Sequence, residues 1–380
     1  MTRAGLAERY FSPIEIERAR DYHRPLYTFV AARTVLGLAY LGVLAFTPAG
    51  PALADAVDAI GPTGFVFPLI VVVVGALLRL PLGYGRHRHE RRWGFSTQSV
   101  KGWLLDVAKS VGLSSVLTAA LLSGLFEVAG RFPTAWPLVA GPAAVAVIAV
   151  LSFLAPVVFE PLFNRFRPLD DVDLAGDLRS LSERAGVPVR RVLVSDASRR
   201  TTKHNAYVSG LGATRRVVVF DTLLARDDDR DVRLVVAHEL GHRRLGHVAR
   251  GTALAALGAV TVVALLWLLL RNAGVLGAIG AGGPSDPRAT PFALLVAAVL
   301  GLVSDPLGNA ISRRWESDAD RFAVELTGDA KGFAQMEREL SVENLSDLAP
   351  GRLAYLFLFT HPAPAERIAD ALNLARPTTA

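Results

Sequence analysis

The hydrophobic residues of this chain are concentrated in six long runs separated by polar segments. Four runs precede residue 160, at about 27–47, 63–83, 111–129 and 137–159, and two follow, at about 252–270 and 291–310. Each approaches the roughly 20 apolar residues that a helix needs to cross a bilayer. The pattern predicts a polytopic α-helical membrane protein with six spans. Six buried helices in a soluble protein are the alternative.

The composition agrees with a membrane protein. Hydrophobic residues make up 51% of the 380 residues and charged residues 20%, with a mean hydropathy of +0.35. The net charge of +6 and the pI near 9.9 could indicate a nucleic-acid partner. The basic residues flank the apolar runs, however, where they report orientation in a bilayer. We therefore expect a lipid bilayer as partner and no nucleic acid.

Basic and non-basic loops alternate along the chain. Five basic residues lie in 1–24 and five in 85–101, whereas 48–62 has none. The segment 160–250 is again rich in arginine, and 271–290 is poor in basic residues. By the positive-inside rule, both termini and the 160–250 segment are predicted to be cytoplasmic. Only four of the 41 basic residues are lysine, and the rest are arginine. Such a bias is typical of a bacterial protein, so we expect this chain in a bacterial cell membrane.

The polar segments predict several helices and a small sheet. An amphipathic helix capped by Asp173 comes first, and it ends near Val187 and Pro188. The strands are predicted at 191–195, 206–209 and 217–220, and the helices that follow at 231–248 and 313–326.

One short motif has the spacing of a metal site. The sequence His238-Glu239-Leu240-Gly241-His242 follows an apolar stretch, which predicts a helix with one buried face. Residues i and i+4 of a helix point the same way, so His238 and His242 can reach one cation. Glu239 is placed to take a proton from water without ligating the metal. The chain has no cysteine, so a further ligand must be histidine or a carboxylate. A buried structural histidine pair is the alternative.

A catalytic zinc takes three protein ligands and leaves one position open. The best candidate for the third ligand is Glu316, with Asp320 one turn later on the same helix face. Asp320 could orient a ligand histidine, although an ordinary charged helix is the alternative interpretation. His247 would lie about 140° round a continuous helix from His242, so the sequence leaves it out of the site.

Several separated segments resemble one family, the integral-membrane zinc metalloproteases of the CAAX prenyl protease 1 type. The segments 238–242 and 312–320 resemble the zinc helix and the third-ligand helix of that family. The other matching segments are 90–98, 156–169, 203–208, 216–224 and 360–368. Eukaryotic members have seven spans and six are predicted here, which leaves open how the spans enclose a chamber.

The resemblance implies roles for individual residues. His238, His242 and Glu316 would hold one Zn²⁺ per chain, and Glu239 would be the catalytic base. Asp320 would be a proton donor or a hydrogen-bond partner of a ligand.

The resemblance also implies a substrate-binding region. Asn205 and His361 would lie near the substrate carbonyl, with His361 counted as catalytic, and Arg367 would support the site. The strand that begins near Asn205 is a plausible edge for an extended peptide to join by β-augmentation. Asn205, Ala206 and Tyr207 are therefore the candidate substrate-binding residues.

The expected fold is an α-helical polytopic membrane protein with a mainly α, gluzincin-type zinc protease domain that carries a small β-sheet. The predicted division is a cytoplasmic N-terminal segment (1–24), four spans (25–160), the first part of the protease domain (161–250), two spans (251–310), its second part (311–375) and a tail (376–380).

The leading hypothesis is a membrane-embedded zinc endopeptidase that cleaves peptide bonds at the cytoplasmic side, with CAAX-type C-terminal processing as one role. A quality-control protease that degrades misfolded membrane proteins is the alternative. A transporter that relays ions through residues such as Arg33 or Asp305 is a remote alternative, because it leaves the HExxH motif unexplained.

Overall fold

The computed structural model describes residues 2–59, 61–226 and 228–374, and the predicted tail at 376–380 lies outside them. Helices up to residue 163 are α1 (Arg3–Ala7), α2 (Pro13–Phe46), α3 (Ala49–Asp58), α4 (Thr63–Arg92), α5 (Val100–Arg131), α6 (Trp136–Leu154), a π-helical turn (Ala155–Phe159) and α7 (Glu160–Phe163). The elements of the following segment are β1 (Phe166–Pro168), α8 (Val172–Arg184), β2 (Arg191–Ser195), β3 (Ala206–Ser209), β4 (Arg216–Phe220), α9 (Asp221–Leu224) and α10 (Asp229–Arg244). The remaining helices are α11 (His247–Leu270), α12 (Ala273–Ala278), α13 (Thr290–Thr327), α14 (Ala330–Glu343), α15 (Arg352–Leu358) and α16 (Pro364–Leu374). Short 3₁₀ turns occupy Ala197–Arg199, Gly212–Thr214 and Pro287–Ala289.

Six of the described helical segments are long and apolar enough to cross a bilayer. They are Pro13–Phe46, Thr63–Arg92, Val100–Arg131, Trp136–Phe163, His247–Leu270 and Pro287–Thr327. Large apolar side chains such as Leu138, Val303 and Val35 are exposed on their outer faces. That exposure suits a lipid environment and would be costly in water. With the small sheet described below, these helices confirm the expected fold class.

The membrane helices are longer than the apolar runs that predict them. Helix α2 begins at Pro13, where the Ser12 hydroxyl accepts from the backbone N–H of Glu15 and the Glu15 carboxylate accepts in return. Helix α13 has 38 residues and so a length of about 57 Å, nearly twice the hydrocarbon thickness. The polar half of α13 therefore extends beyond the bilayer and carries Glu316 and Asp320 into the polar domain.

Four short strands form one mixed sheet in the order β1-β2-β4-β3. Strand β2 pairs with β4 in parallel, and both outer strands pair antiparallel. The bounds of β2 and β3 agree with the sequence prediction, β4 begins one residue earlier, and β1 was not predicted. Strand β3 is an edge strand of this sheet, and it packs beside α10.

Two local predictions about helix ends were wrong. The cap of α8 is Asp171, whose carboxylate accepts from the N–H of Leu174 at 2.9 Å, whereas Asp173 already lies inside the first turn. The helix predicted over 231–248 is interrupted at Gly246, which has a φ of +72° in the left-handed region. Because residues in that region cannot continue a right-handed helix, the chain turns there and α11 starts in a new direction.

The core of the polar domain holds α10 against α13. Gly241 faces the backbone of Ala319, and a Cβ at Gly241 would lie 3.2 Å from Ala319 Cα. This close approach favours a glycine, because a Cβ would force the two helices apart by a few tenths of an ångström. Buried apolar residues from α8, α10, β4 and α14 complete the core around the two helices. The HExxH helix and the Glu316 helix are therefore fixed at short range.

Candidate active site

Helix α10 presents the HExxH side chains on one face. The Nε2 atoms of His238 and His242 lie 3.1 Å apart, and Glu239 lies beside them. Asp228 caps the start of this helix by accepting from the N–H groups of Arg230 and Asp231. The cap and the buried face fix the register of the helix, so both imidazoles converge on one point.

Glu316 reaches the same point from α13. Its Oε2 atom lies 3.2 Å from His238 Nε2, and its Oε1 atom lies 3.5 Å from His242 Nε2. The Glu316 carboxylate is buried, and Oε2 accepts no hydrogen bond from the described part of the chain. Ligands about 2.0–2.1 Å from a tetrahedral Zn²⁺ are separated by about 3.3 Å. The two Nε2 atoms lie 3.1 Å apart, and each lies within 3.5 Å of one oxygen of the Glu316 carboxylate, so the two histidines and this carboxylate fit a zinc ion.

A buried ionic network supports this group from behind. Asp320 Oδ1 lies 2.8 Å from His238 Nδ1, and both Asp320 oxygens accept from Arg367, at 2.6 and 2.8 Å. The guanidinium of Arg367 also lies 2.6 Å from Glu337. Burial disfavours the Arg367 cation, but Asp320 and Glu337 outweigh burial and raise the pKa of Arg367. Each buried charge is therefore paired, as charges removed from water must be.

The same carboxylates act on His238. Burial lowers the pKa of His238, but the nearby carboxylates of Asp320 and Glu316 outweigh it and raise that pKa to about 10. Such a negative field favours any cation in the centre, whether a proton or a metal. Because the Asp320 carboxylate contacts Nδ1 of His238, the other ring nitrogen of His238, Nε2, is left to face the metal position.

Glu239 faces a cavity of about 180 Å³ in front of the histidines. The cavity is also lined by His204, Asn205, His361 and Arg367. Burial raises the pKa of Glu239, so this carboxylate is a stronger proton acceptor than an exposed glutamate. Glu239 and His238 therefore face the same space.

The structure places the remaining predicted residues as follows. His361 Nε2 lies 3.3 Å from Glu316 Oε2, at the rim of the cavity. Asn205 lines the cavity, and its Oδ1 atom accepts from the N–H of Ala206. The Tyr207 hydroxyl instead donates to Glu160 at 3.3 Å, away from the cavity.

His247 contacts the site, although the sequence placed it elsewhere. Its Nδ1 atom lies 3.0 Å from His242 Nδ1, and its ring stacks on Trp315. The angle of about 140° assumed a continuous helix, and the turn at Gly246 removes that assumption. His247 thereby contacts the outer nitrogen of His242. The turn residue Gly246 was the sequence signal that could have indicated this.

Glu337 was also missed by the sequence analysis. It lies in the middle of α14, a helix that carries several other exposed charges, and no motif distinguishes it. Its role depends on Arg367, which approaches from α16. Only the packing of the two helices shows that Glu337 belongs to the network.

Two family models together cover most of the chain. Residues 168–375 match peptidase family M48, and residues 6–165 match the CAAX prenyl protease N-terminal model, described as five membrane helices. In the described part of that N-terminal region, four helical segments are long and apolar enough to span a bilayer.

Individual proteins give the same result. The chain is 31% identical over 315 residues to an uncharacterized metalloprotease, YhfN, of Bacillus subtilis, covering 81% of this chain and 72% of the relative. It is 30% identical over 314 residues to CAAX prenyl protease 1 of Saccharomyces cerevisiae, covering 78% and 69%.

A solved structure extends the likeness to the whole fold. The crystal structure of S. mikatae Ste24p matches with a TM-score of 0.85 at 25% identity, covering 97% of this chain and 94% of that chain. The resemblance seen in the sequence is thus confirmed. The chain belongs to peptidase family M48 and is an integral-membrane metalloprotease similar to the CAAX prenyl proteases.

Proposed function

We propose that this protein is a zinc-dependent endopeptidase whose metal ligands are His238, His242 and Glu316. The observation that carries the proposal is the convergence of three side chains: the two Nε2 atoms lie 3.1 Å apart, and the Glu316 oxygens lie 3.2 Å from one and 3.5 Å from the other, close to the ligand spacing of a tetrahedral zinc. When bound there, zinc would act as a Lewis acid that polarises a carbonyl and lowers the pKa of water. Two histidines and one glutamate leave an open position for that chemistry.

Glu239 is the proposed general base. A water oxygen attacks the scissile carbonyl carbon while Glu239 accepts a proton from that water. As the C–N bond breaks, Glu239 passes the proton to the leaving amine, which departs as a neutral group. His361 and Asn205 lie at the cavity in front of Glu239 and can donate to the carbonyl oxygen as negative charge develops there.

Strand β3 is the proposed docking edge for an extended peptide. The backbone carbonyl of Asn205 accepts from the N–H of Phe220 in β4, so alternation directs the backbone groups of Ala206 and Val208 to the open edge. The Asn205 side chain already accepts from the Ala206 N–H, which leaves the Ala206 carbonyl and the Val208 N–H for an added strand. Arg243 of α10 donates to the Val208 carbonyl and holds the edge beside the zinc helix. An added peptide strand would thus lie between β3 and Glu239.

We further propose that cleavage occurs at the cytoplasmic side and that CAAX-type C-terminal processing is one role. The orientation is supported by the alternation of basic loops described above. The role is supported by the yeast relative that is named CAAX prenyl protease 1.

Purified protein in detergent or nanodiscs tests the proposal. We expect it to cleave a fluorogenic peptide, to lose that activity with a chelator and to regain it on addition of Zn²⁺. Absence of cleavage with full zinc occupancy would contradict the proposal. Comparing a prenylated peptide with its unmodified twin then tests the CAAX role, since equal turnover would argue against it.

A further inference from the structure

Three arginines on the membrane helices lie outside the proposed catalytic machinery, two of them within apolar runs (Arg33 and Arg79) and one just beyond the apolar run of α4 (Arg86). Arg33 belongs to α2, and Arg79 and Arg86 belong to α4. Arg33 and Arg79 form no ion pair with an acidic group in the described part of the chain, and Arg86 has only Glu90, at 3.9 Å. Charged side chains in a membrane span are costly, so unpaired ones mark functional sites. We call these three residues the arginine cluster.

The arginine cluster lines one cavity. This cavity of about 190 Å³ lies between α2 and α4. The Arg79 guanidinium fits between two glycines, because a Cβ at Gly37 or Gly75 would lie 3.4 Å from its terminal nitrogens. Arg79 Nε donates to the Gly75 carbonyl at 2.7 Å, which fixes the side chain. The remaining guanidinium donors are available to an anion that enters the cavity.

The cavity shares walls with the catalytic site. Val30 and Arg86 line both the arginine cavity and a larger cavity of about 580 Å³. His361 and Arg367 line both this larger cavity and the cavity in front of Glu239. A chain of adjoining cavities therefore leads from Glu239 to the arginine cluster.

The direction of a bound peptide points along that chain of cavities. Antiparallel pairing is slightly more stable than parallel pairing, so we expect a peptide to run antiparallel to β3. Its C-terminal end then passes Ala206 towards Asn205 and Lys203. Lys203 lines the larger cavity, between the catalytic site and Arg86. Residues after the scissile bond therefore approach the arginine cluster.

We propose that the arginine cluster binds the C-terminal carboxylate of the substrate, an inference that rests on the proposed function. Guanidinium groups bind carboxylates through two parallel hydrogen bonds, and the low dielectric of a membrane cavity strengthens them. An anionic phospholipid would offer a phosphate to the same cluster. The shared walls with the catalytic site favour the peptide. The cluster thus selects peptides that are cleaved close to their C-terminus.

The test compares two peptides of identical sequence, one ending in a carboxylate and the other in an amide. For the wild-type protein we expect kcat/KM to be about 10- to 100-fold higher for the acid. Arg33→Gln and Arg86→Gln should lower kcat/KM for the acid more than for the amide and so remove most of the preference for the acid. Arg88→Gln is the matched control, because Arg88 lies on the same helix but does not line either cavity, and it should retain the preference.

Binding gives a readout that does not depend on cleavage. Glu239→Gln protein should bind a labelled acid peptide more tightly than its amide, and adding Arg33→Gln should abolish the difference. Arg33→Lys keeps the charge and should retain part of the preference even if Arg33→Gln folds poorly.

Equal cleavage of acid and amide by the wild type would overturn the inference and leave the proposed function standing. An undiminished preference in both glutamine variants would also overturn it. Loss of bound anionic phospholipid from those variants, with unchanged peptide affinity, would assign the cluster to lipid instead.

Discussion

At the scale of residues, Asp320 connects the proposed metal site to the rest of the domain. It accepts from Arg367 through both oxygens while it contacts His238 Nδ1. An asparagine in its place would turn an N–H₂ group towards one of two donors. The histidine would then lose its fixed orientation, and Arg367 would lose one of its two carboxylate partners.

We therefore expect Asp320→Asn to lower turnover by about 10- to 100-fold. The loss of zinc affinity should be smaller than the loss of turnover. Asp318→Asn is the control, because Asp318 is exposed on the same helix and should change either quantity by less than about twofold. Zinc affinity and turnover are to be measured on the same preparation of each variant. Wild-type values for Asp320→Asn would show that Asp320 has no role in the site.

Site residues that share one helix face can be grouped from the sequence alone. Residues that meet only when separate helices pack are harder to predict. His238 and His242 are four residues apart, and Glu316 and Asp320 are likewise four apart, so helix geometry alone groups each pair. Glu337 could not be predicted this way, because its partner Arg367 lies on another helix.

At the scale of elements, helix ends were harder to predict than helices. Apolar runs mark only the part of a helix that lies in lipid. The lengths of α2 and α13, which continue as polar helix, were therefore underestimated. The turn at Gly246 was missed because the predicted helix was extended across a glycine, the residue that most often ends a helix in the left-handed region.

Gly246→Ala should therefore destabilise the protein by about 1–2 kcal/mol, because an alanine resists a φ of +72°. No atom lies within 4 Å of the added Cβ, so the cost comes from the backbone alone. Gly258→Ala, with the same free space inside α11, is the control and should be neutral or stabilising. The free energy of unfolding in mixed micelles measures both. Equal effects would contradict a conformational role for Gly246.

At the scale of the whole molecule, the architecture follows from hydropathy, and the expected orientation is a prediction from the charges of the loops. A reporter fused after residue 375 should be found in the cytoplasm, and one inserted within 275–288 should be found on the opposite face. Reporter activity in the two compartments measures this directly. The reverse pattern would place the proposed active site outside the cell.

Hydropathy and motif spacing do not reveal the substrate. The arginine cluster combines Arg33 with two residues about fifty positions later, and only the packing of α2 on α4 brings them to one cavity. Single charges inside apolar runs were visible in the sequence, yet their convergence was not.

The central claim is that Glu239 is the base of a zinc peptidase whose ligands are His238, His242 and Glu316. Zinc content and peptidase turnover of Glu239→Gln, measured on one preparation beside the wild type, test it most directly. We predict one zinc per chain in both proteins and a fall in turnover of at least about 10²-fold in the variant. Turnover like that of the wild type would contradict the general-base role, and loss of zinc from the variant would contradict the ligand set.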